Sequence, residues 1–141
     1  MPRRKRRLFV RAAFAEPVDL RGKKMIVTGA SPGSLGYETA RILASWGASV
    51  GVTTRSHTEN TVAALASSLG PGARERISGH PLDLCDPGSV ARFVSWYRET
   101  RGDGLDVLVN NAGVHLDLLS QWKEPHRTGD GFEVQWRTNY L

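Results

Sequence analysis

The chain has little of what a disulfide scaffold, a metal centre or a membrane protein requires. Of its 141 residues one is cysteine, Cys85, so an internal disulfide and a cysteine-cluster zinc site are excluded. A lone thiol fits a reducing, cytoplasmic setting. The four histidines, His57, His80, His115 and His126, have no paired ligand spacing, so no metal is expected and they read as surface or loop residues. No apolar run approaches the twenty or so residues that span a bilayer. Hydrophobic residues at 40% and charged residues at 23% exclude a disordered chain and indicate one globular domain with a sizeable core.

A surplus of acid is also missing, and the net charge of +5 at first suggests a nucleic-acid partner. Its distribution argues otherwise. Six of the nineteen Lys and Arg are Arg3, Arg4, Lys5, Arg6, Arg7 and Arg11, which leaves thirteen against fourteen Asp and Glu from Ala12 onward. The basic character belongs to a leader, read here as residues 1–17, flexible and solvated. Binding of phosphate backbones or an anionic membrane is the alternative for that leader. Arg6-Arg7-Leu8-Phe9 has the look of a twin-arginine signal, but Arg11 to Pro17 is too short and interrupted for the apolar stretch that export needs.

From about Val18 the pattern is regular. An apolar strand, Lys24 to Thr28, runs into Thr28-Gly29-Ala30-Ser31-Pro32-Gly33-Ser34-Leu35-Gly36. A buried strand, a glycine-rich turn and a helix in succession bring backbone N–H groups and a helix N-terminus to one point, where a pyrophosphate can sit. The first helix is marked by Leu35, Thr39, Leu43 and Trp46 and ends at Gly47, with Ala40 and Ala44 letting it lie close to the sheet.

Ala48 to Thr53 reads as a second strand. Ser56-His57-Thr58-Glu59 has capping-box spacing before a helix with Val62, Leu65, Ala66 and Leu69 on one face, closed by Gly70-Pro71. Arg76 to Leu82 is a third strand, and Asp86-Pro87 starts a helix with Val90, Phe93, Val94 and Tyr97 inward and Gly102 as its stop. Leu105 to Val109 is a fourth strand. Asp130 then reads as the N-cap, with Glu133 three later, of a last helix running through Trp136. Trp46, Trp96 and Trp136 are expected to pack on helices, and Trp122 to lie in a loop that could face substrate. Alternating strands and helices with mostly apolar strands predict an α/β fold, a doubly wound parallel sheet in the order 3-2-1-4.

The motifs together resemble the short-chain dehydrogenase/reductase family, in its retinol-dehydrogenase-like branch, over residues 18–141. The family pattern Thr-Gly-x-x-x-Gly-x-Gly is matched by Thr28, Gly29 and Gly33, while Gly36 falls one residue late because Ser34-Leu35 stands where one residue is usual. The resemblance implies a Rossmann-type dinucleotide-binding domain, C-terminally truncated relative to the full fold. It assigns Gly29, Ser31, Gly33, Leu35 and Gly36 to the phosphate loop, Asp83 and Leu84 to the adenine, and Asn111, Ala112 and Gly113 of Asn110-Asn111-Ala112-Gly113 to the cofactor cleft. Arg55, after a strand that ends without an acidic residue, favours the 2′-phosphate of NADP over NAD. Asn139 would be the Asn of the catalytic tetrad.

By the same resemblance the activity is hydride transfer between NADP(H) and a carbonyl or alcohol, possible substrates being lipophilic. The alternative is a dinucleotide-binding fragment inactive alone. The family's acid is a Tyr helped by a Lys four residues on. Here Arg41 follows Tyr37, Arg101 follows Tyr97, and Tyr140 is followed only by Leu141. The outer edge of the fourth strand is expected to lack a partner, so self-association is expected too.

Overall fold

The computed structural model describes residues 16–115 and 125–141. The first fifteen residues of the leader and Trp122 lie outside them. Four parallel strands form one sheet in the order β3-β2-β1-β4: β1 Lys24–Val27, β2 Ser49–Thr54, β3 Ile77–Pro81 and β4 Val107–Val109. Helices α1 Leu35–Ser45, α2 Thr58–Leu69 and α3 Pro87–Arg101 connect them, and α4 Val134–Asn139 follows. The strand order and the crossovers are those the sequence predicts.

Alternation along β1 divides the core. Met25 and Val27 point to one face and join Val50, Val52, Ala40, Ala44, Val62, Leu65 and Ile77 under α1 and α2. Ile26 points to the other and packs with Leu82, Phe93 and Tyr97 under α3. Burial on both faces is why these strands are runs of Val and Ile rather than alternating with polar residues. On α1 the buried positions are Gly36, Ala40 and Ala44, so the small residues rather than the large ones face the sheet. Leu35, expected among the apolar face of α1, is 77% exposed, because at the first position of the helix it faces the open end of the sheet rather than the core.

Three further expectations are corrected. Ser56 does not cap α2: the cap position is His57, in the left-handed region at φ +57° with no side-chain cap bond, and Thr54 and Thr58 join hydroxyls at 2.7 Å instead. Asp130 does not cap α4. Glu133 does, its carboxylate accepting from the amides of Gln135 and Trp136, while Asp130 pairs with Arg137 at 2.9 Å. Trp136 is half exposed and stacks on Tyr140 rather than packing into a core.

His80, expected at the surface, lies on β3 with its ring 5.1 Å from that of Trp96. Asp86 caps α3 as predicted, its carboxylate accepting from Gly88 N at 2.8 Å. That amide and Arg92 hold its carboxyl below the usual range.

Arg101 ties the N-terminal ends of the strands together. Its guanidinium donates to Ser78 and Ser49, and its carbonyl accepts from Lys24 Nζ at 2.6 Å. The bottom of the sheet is therefore closed, and the open end is the C-terminal one. Among the described residues β4 pairs only with β1, and Leu105, Val107 and Leu108 beside its free edge are 40–50% exposed. No helix among the described residues is long and apolar enough to cross a membrane.

Candidate functional site

Beyond the C-terminal ends of β1, β2 and β3 lies a cleft of about 360 Å³. In open α/β sheets this is where the strand order reverses and ligands are bound. Here the reversal is between β1 and β4, since β2 and β3 lie on one side of β1 and β4 on the other. Two turns build the inner wall, one after β1 and one after β4.

They are locked by Thr28. Its hydroxyl accepts from the amides of Asn111 and Ala112 at 3.1 and 2.9 Å and donates to Val109 O at 3.3 Å. Asn111 returns the contact, its side-chain amide donating to the carbonyls of Thr28 and Gly29 at 2.8 and 3.2 Å.

The two turns touch so closely that glycine is required at two places. A Cβ on Gly29 would stand 2.8 Å from Ala112 Cα, and one on Gly36 would stand 2.4 Å from Asn111 Nδ2 and 2.6 Å from Gly29 O. Gly36 therefore occupies the close-approach position although it falls one residue late. The extra residue is absorbed upstream. Ser31-Pro32-Gly33-Ser34 closes a turn with Ser34 N donating to Ser31 O at 3.0 Å and Gly33 at φ +81°, the backbone that a type II turn with Pro second and Gly third adopts. Ser34 then caps α1, its hydroxyl accepting from Tyr37 N at 3.1 Å.

Nine of the residues expected at the cofactor line the cleft: Gly29, Ser31, Leu35, Arg55, Asp83, Leu84, Asn111, Ala112 and Gly113. Gly33 and Gly36 do not; they shape the loop from behind. Asp83 is held by its surroundings, with its amide donating to Ser89 Oγ and its carboxylate accepting from Cys85 N, both at 2.9 Å. Arg55 is exposed at the rim, directly after Thr53 and Thr54.

Asn139 stands outside this cleft, at an adjoining hollow. Its Oδ1 accepts from Val114 N at 2.9 Å and its Nδ2 donates to Val114 O at 3.0 Å. It thereby fixes the segment after β4 to α4.

Further residues line the cleft that sequence reasoning did not single out. Thr53, Thr54 and Leu82 lie at or just past strand ends, and the rule for open sheets could have found them. Ser34 was visible only as part of the extra residue. Val134 and Thr138 come from α4, and no local signal marks them. Cys85, to which no chemistry was assigned, also lines the cleft, and its sulfur lies 3.0 Å from Thr138 Oγ1, joining α4 to the loop after β3.

Tyr97 is buried under the sheet, donates to Gly104 O at 3.2 Å, and has its phenol pushed up by burial. Neither it nor Tyr140, 74% exposed, lines the cleft.

A family model described as "short chain dehydrogenase" matches residues 23–135. A "probable oxidoreductase" of Streptomyces antibioticus is 43% identical over 126 residues, covering 88% of this chain and 38% of that protein. Human retinol dehydrogenase 12 is 33% identical over 136 residues, covering 96% of this chain and 40% of that protein. Among solved structures, menthone neomenthol reductase from Mentha piperita superposes with a TM-score of 0.61 at 35% identity, over 65% of this chain and 32% of that one. The chain thus spans about two fifths of the length of these two curated relatives. The model match across the whole of the sheet, with the locked turns that shape its open end, makes the chain a member of the short-chain dehydrogenase family of oxidoreductases.

Proposed function

We propose that the cleft binds NADP(H), with NAD the weaker ligand, and that the protein to which these residues belong transfers hydride between that cofactor and a carbonyl or alcohol. One observation carries the reading: the turns after β1 and β4 are locked face to face by Thr28 and Asn111 beside a helix N-terminus. That arrangement offers backbone N–H groups to a pyrophosphate. Arg55 at the rim supports the preference for NADP, because a guanidinium can pair with a 2′-phosphate and repels nothing there. Asp83 and Leu84 would hold the adenine. The similarity to retinol dehydrogenase 12 supports a lipophilic alcohol or aldehyde as the substrate class.

In this reading residues 18–141 act as one partial dinucleotide-binding unit behind a basic leader, in the cytoplasm, where a free Cys85 persists. The open, partly apolar edge of β4 would give self-association. Asn139 serves the catalytic group by holding α4 to the backbone of Val114.

A second reading, binding without turnover by the 141 residues alone, is favoured by Arg41 and Arg101, rather than Lys, standing four residues after Tyr37 and Tyr97. The two are separated by adding NADPH and an aldehyde such as retinal to the pure chain. Saturable NADPH fluorescence enhancement without oxidation is the expected outcome. Substrate-dependent oxidation would refute the second reading, and absence of NADPH binding would refute both.

A further inference from the structure

We propose that Ser34, in the lengthened part of the glycine loop, is a side-chain ligand of the cofactor pyrophosphate, supplementing the backbone amides. The assignment rests on the dinucleotide reading of the cleft. Ser34 lines that cleft together with Gly29, Ser31 and Leu35. The amide of Leu35, the first of α1, has no acceptor among the described residues, and Leu35 lines the cleft, so that amide is open to an anion there. The amide of Tyr37 is already taken by the Ser34 hydroxyl oxygen at 3.1 Å.

The proton of that hydroxyl is the free element. It points to Gly29 O across 3.3 Å, a long bond, and Gly29 O has a second donor in Asn111 Nδ2 at 3.2 Å. Turning the proton away therefore leaves no buried carbonyl unpaired. A pyrophosphate oxygen beside Leu35 N offers a charged acceptor in exchange, and charge-assisted bonds are about twice as strong as neutral ones. The oxygen keeps its cap on Tyr37 N throughout, so a single rotation of the O–H changes a loop tie into a ligand contact. With no cationic side chain between Gly29 and Gly36, a hydroxyl is the one mobile donor that this loop can direct at the phosphates alongside Ser31.

The test measures binding of three probes to the full chain: NADPH, ADP-ribose, which keeps the pyrophosphate but not the nicotinamide, and adenosine 2′-monophosphate, which has no pyrophosphate. Ser34→Ala is expected to weaken NADPH and ADP-ribose about tenfold, the usual size for a lost bond to a charged group, and to leave adenosine 2′-monophosphate unchanged. Ser34→Thr, which keeps both cap and donor, should bind all three like the parent.

Ser34→Gly separates capping from donation, because glycine at the cap position retains most of the helix stability. It should lose as much ADP-ribose affinity as Ser34→Ala while melting closer to the parent. ADP-ribose affinity within twofold of the parent in Ser34→Gly would overturn the assignment, as would equal weakening of all three probes. If the parent chain itself binds none of the probes, the dinucleotide reading fails first.

Discussion

Gly36 is the point where the two locked turns press hardest on one another, so a single methyl group there should be felt through both. In Gly36→Ala the new Cβ would meet Asn111 Nδ2 at 2.4 Å and Gly29 O at 2.6 Å. The side chain of Asn111 can swing away, but only by giving up its bonds to the carbonyls of Thr28 and Gly29. The carbonyl of Gly29 can move only with the turn. Overpacking of this kind costs about 1–3 kcal/mol and each lost hydrogen bond about 1 kcal/mol. The sum, allowing for partial relief, is roughly 2–4 kcal/mol, or a drop in Tm of roughly 6–12 °C for a chain of this size.

Gly33→Ala is the natural control, since nothing lies within 4 Å of its Cβ position and only its φ of +81° is unfavourable to alanine. Its cost is limited to about 1–2 kcal/mol. Urea unfolding of Gly36→Ala, Asn111→Ala and the double variant completes the test. Removing the Asn111 amide relieves one of the two clashes, so the Gly36→Ala penalty should shrink by roughly 1 kcal/mol in the Asn111→Ala background. Strictly additive losses, or a Gly36→Ala no less stable than Gly33→Ala, would refute the geometry.

Other consequences follow from the same contacts. Thr28→Val leaves the amides of Asn111 and Ala112 without their acceptor in a residue only 6% exposed, and should cost about 2–3 kcal/mol in urea unfolding, whereas Thr28→Ser should stay within about 0.5 kcal/mol. Glu133 is held below its ordinary 4.5 first by the Gln135 amide and then by that of Trp136. Because its folded value is the depressed one, the cap on α4 is fully present above 4.5 and is lost as pH falls through the lower, folded value. The Gln135 and Trp136 amide resonances should shift together in that acid range by NMR, and Glu133→Gln should abolish the shift. Sedimentation should show concentration-dependent association through the free edge of β4, and Leu108→Lys should reduce it; association unchanged by that substitution would point to another surface.

The sheet was legible because its causes are local. Val50 and Val52, the glycines that close α2 and α3, and the Asp86-Pro87 start each act within a few residues of themselves. The features that escaped depend on distant partners. Leu35 reads as a core position by spacing, yet it is turned to the cleft, while Gly36, pressed against Asn111 75 residues away, takes the buried place. Arg101 reads as a helix-end charge, yet it bridges three strands. The acids before α4 satisfy the capping pattern in either of two registers, and the Asp130–Arg137 pair decides between them. In the cleft, the motifs located nine lining residues, but Val134 and Thr138 arrive from a helix whose approach no short pattern encodes.

The central claim is that the two locked turns and Arg55 form an NADP(H) site. Calorimetric titration of the full chain with NADPH and with NADH tests it most directly, run for the parent and for Arg55→Ala. Saturable binding of both is predicted, with NADPH tighter by about tenfold or more and the difference abolished in Arg55→Ala. No saturable binding of either dinucleotide by a chain that unfolds cooperatively would contradict the account.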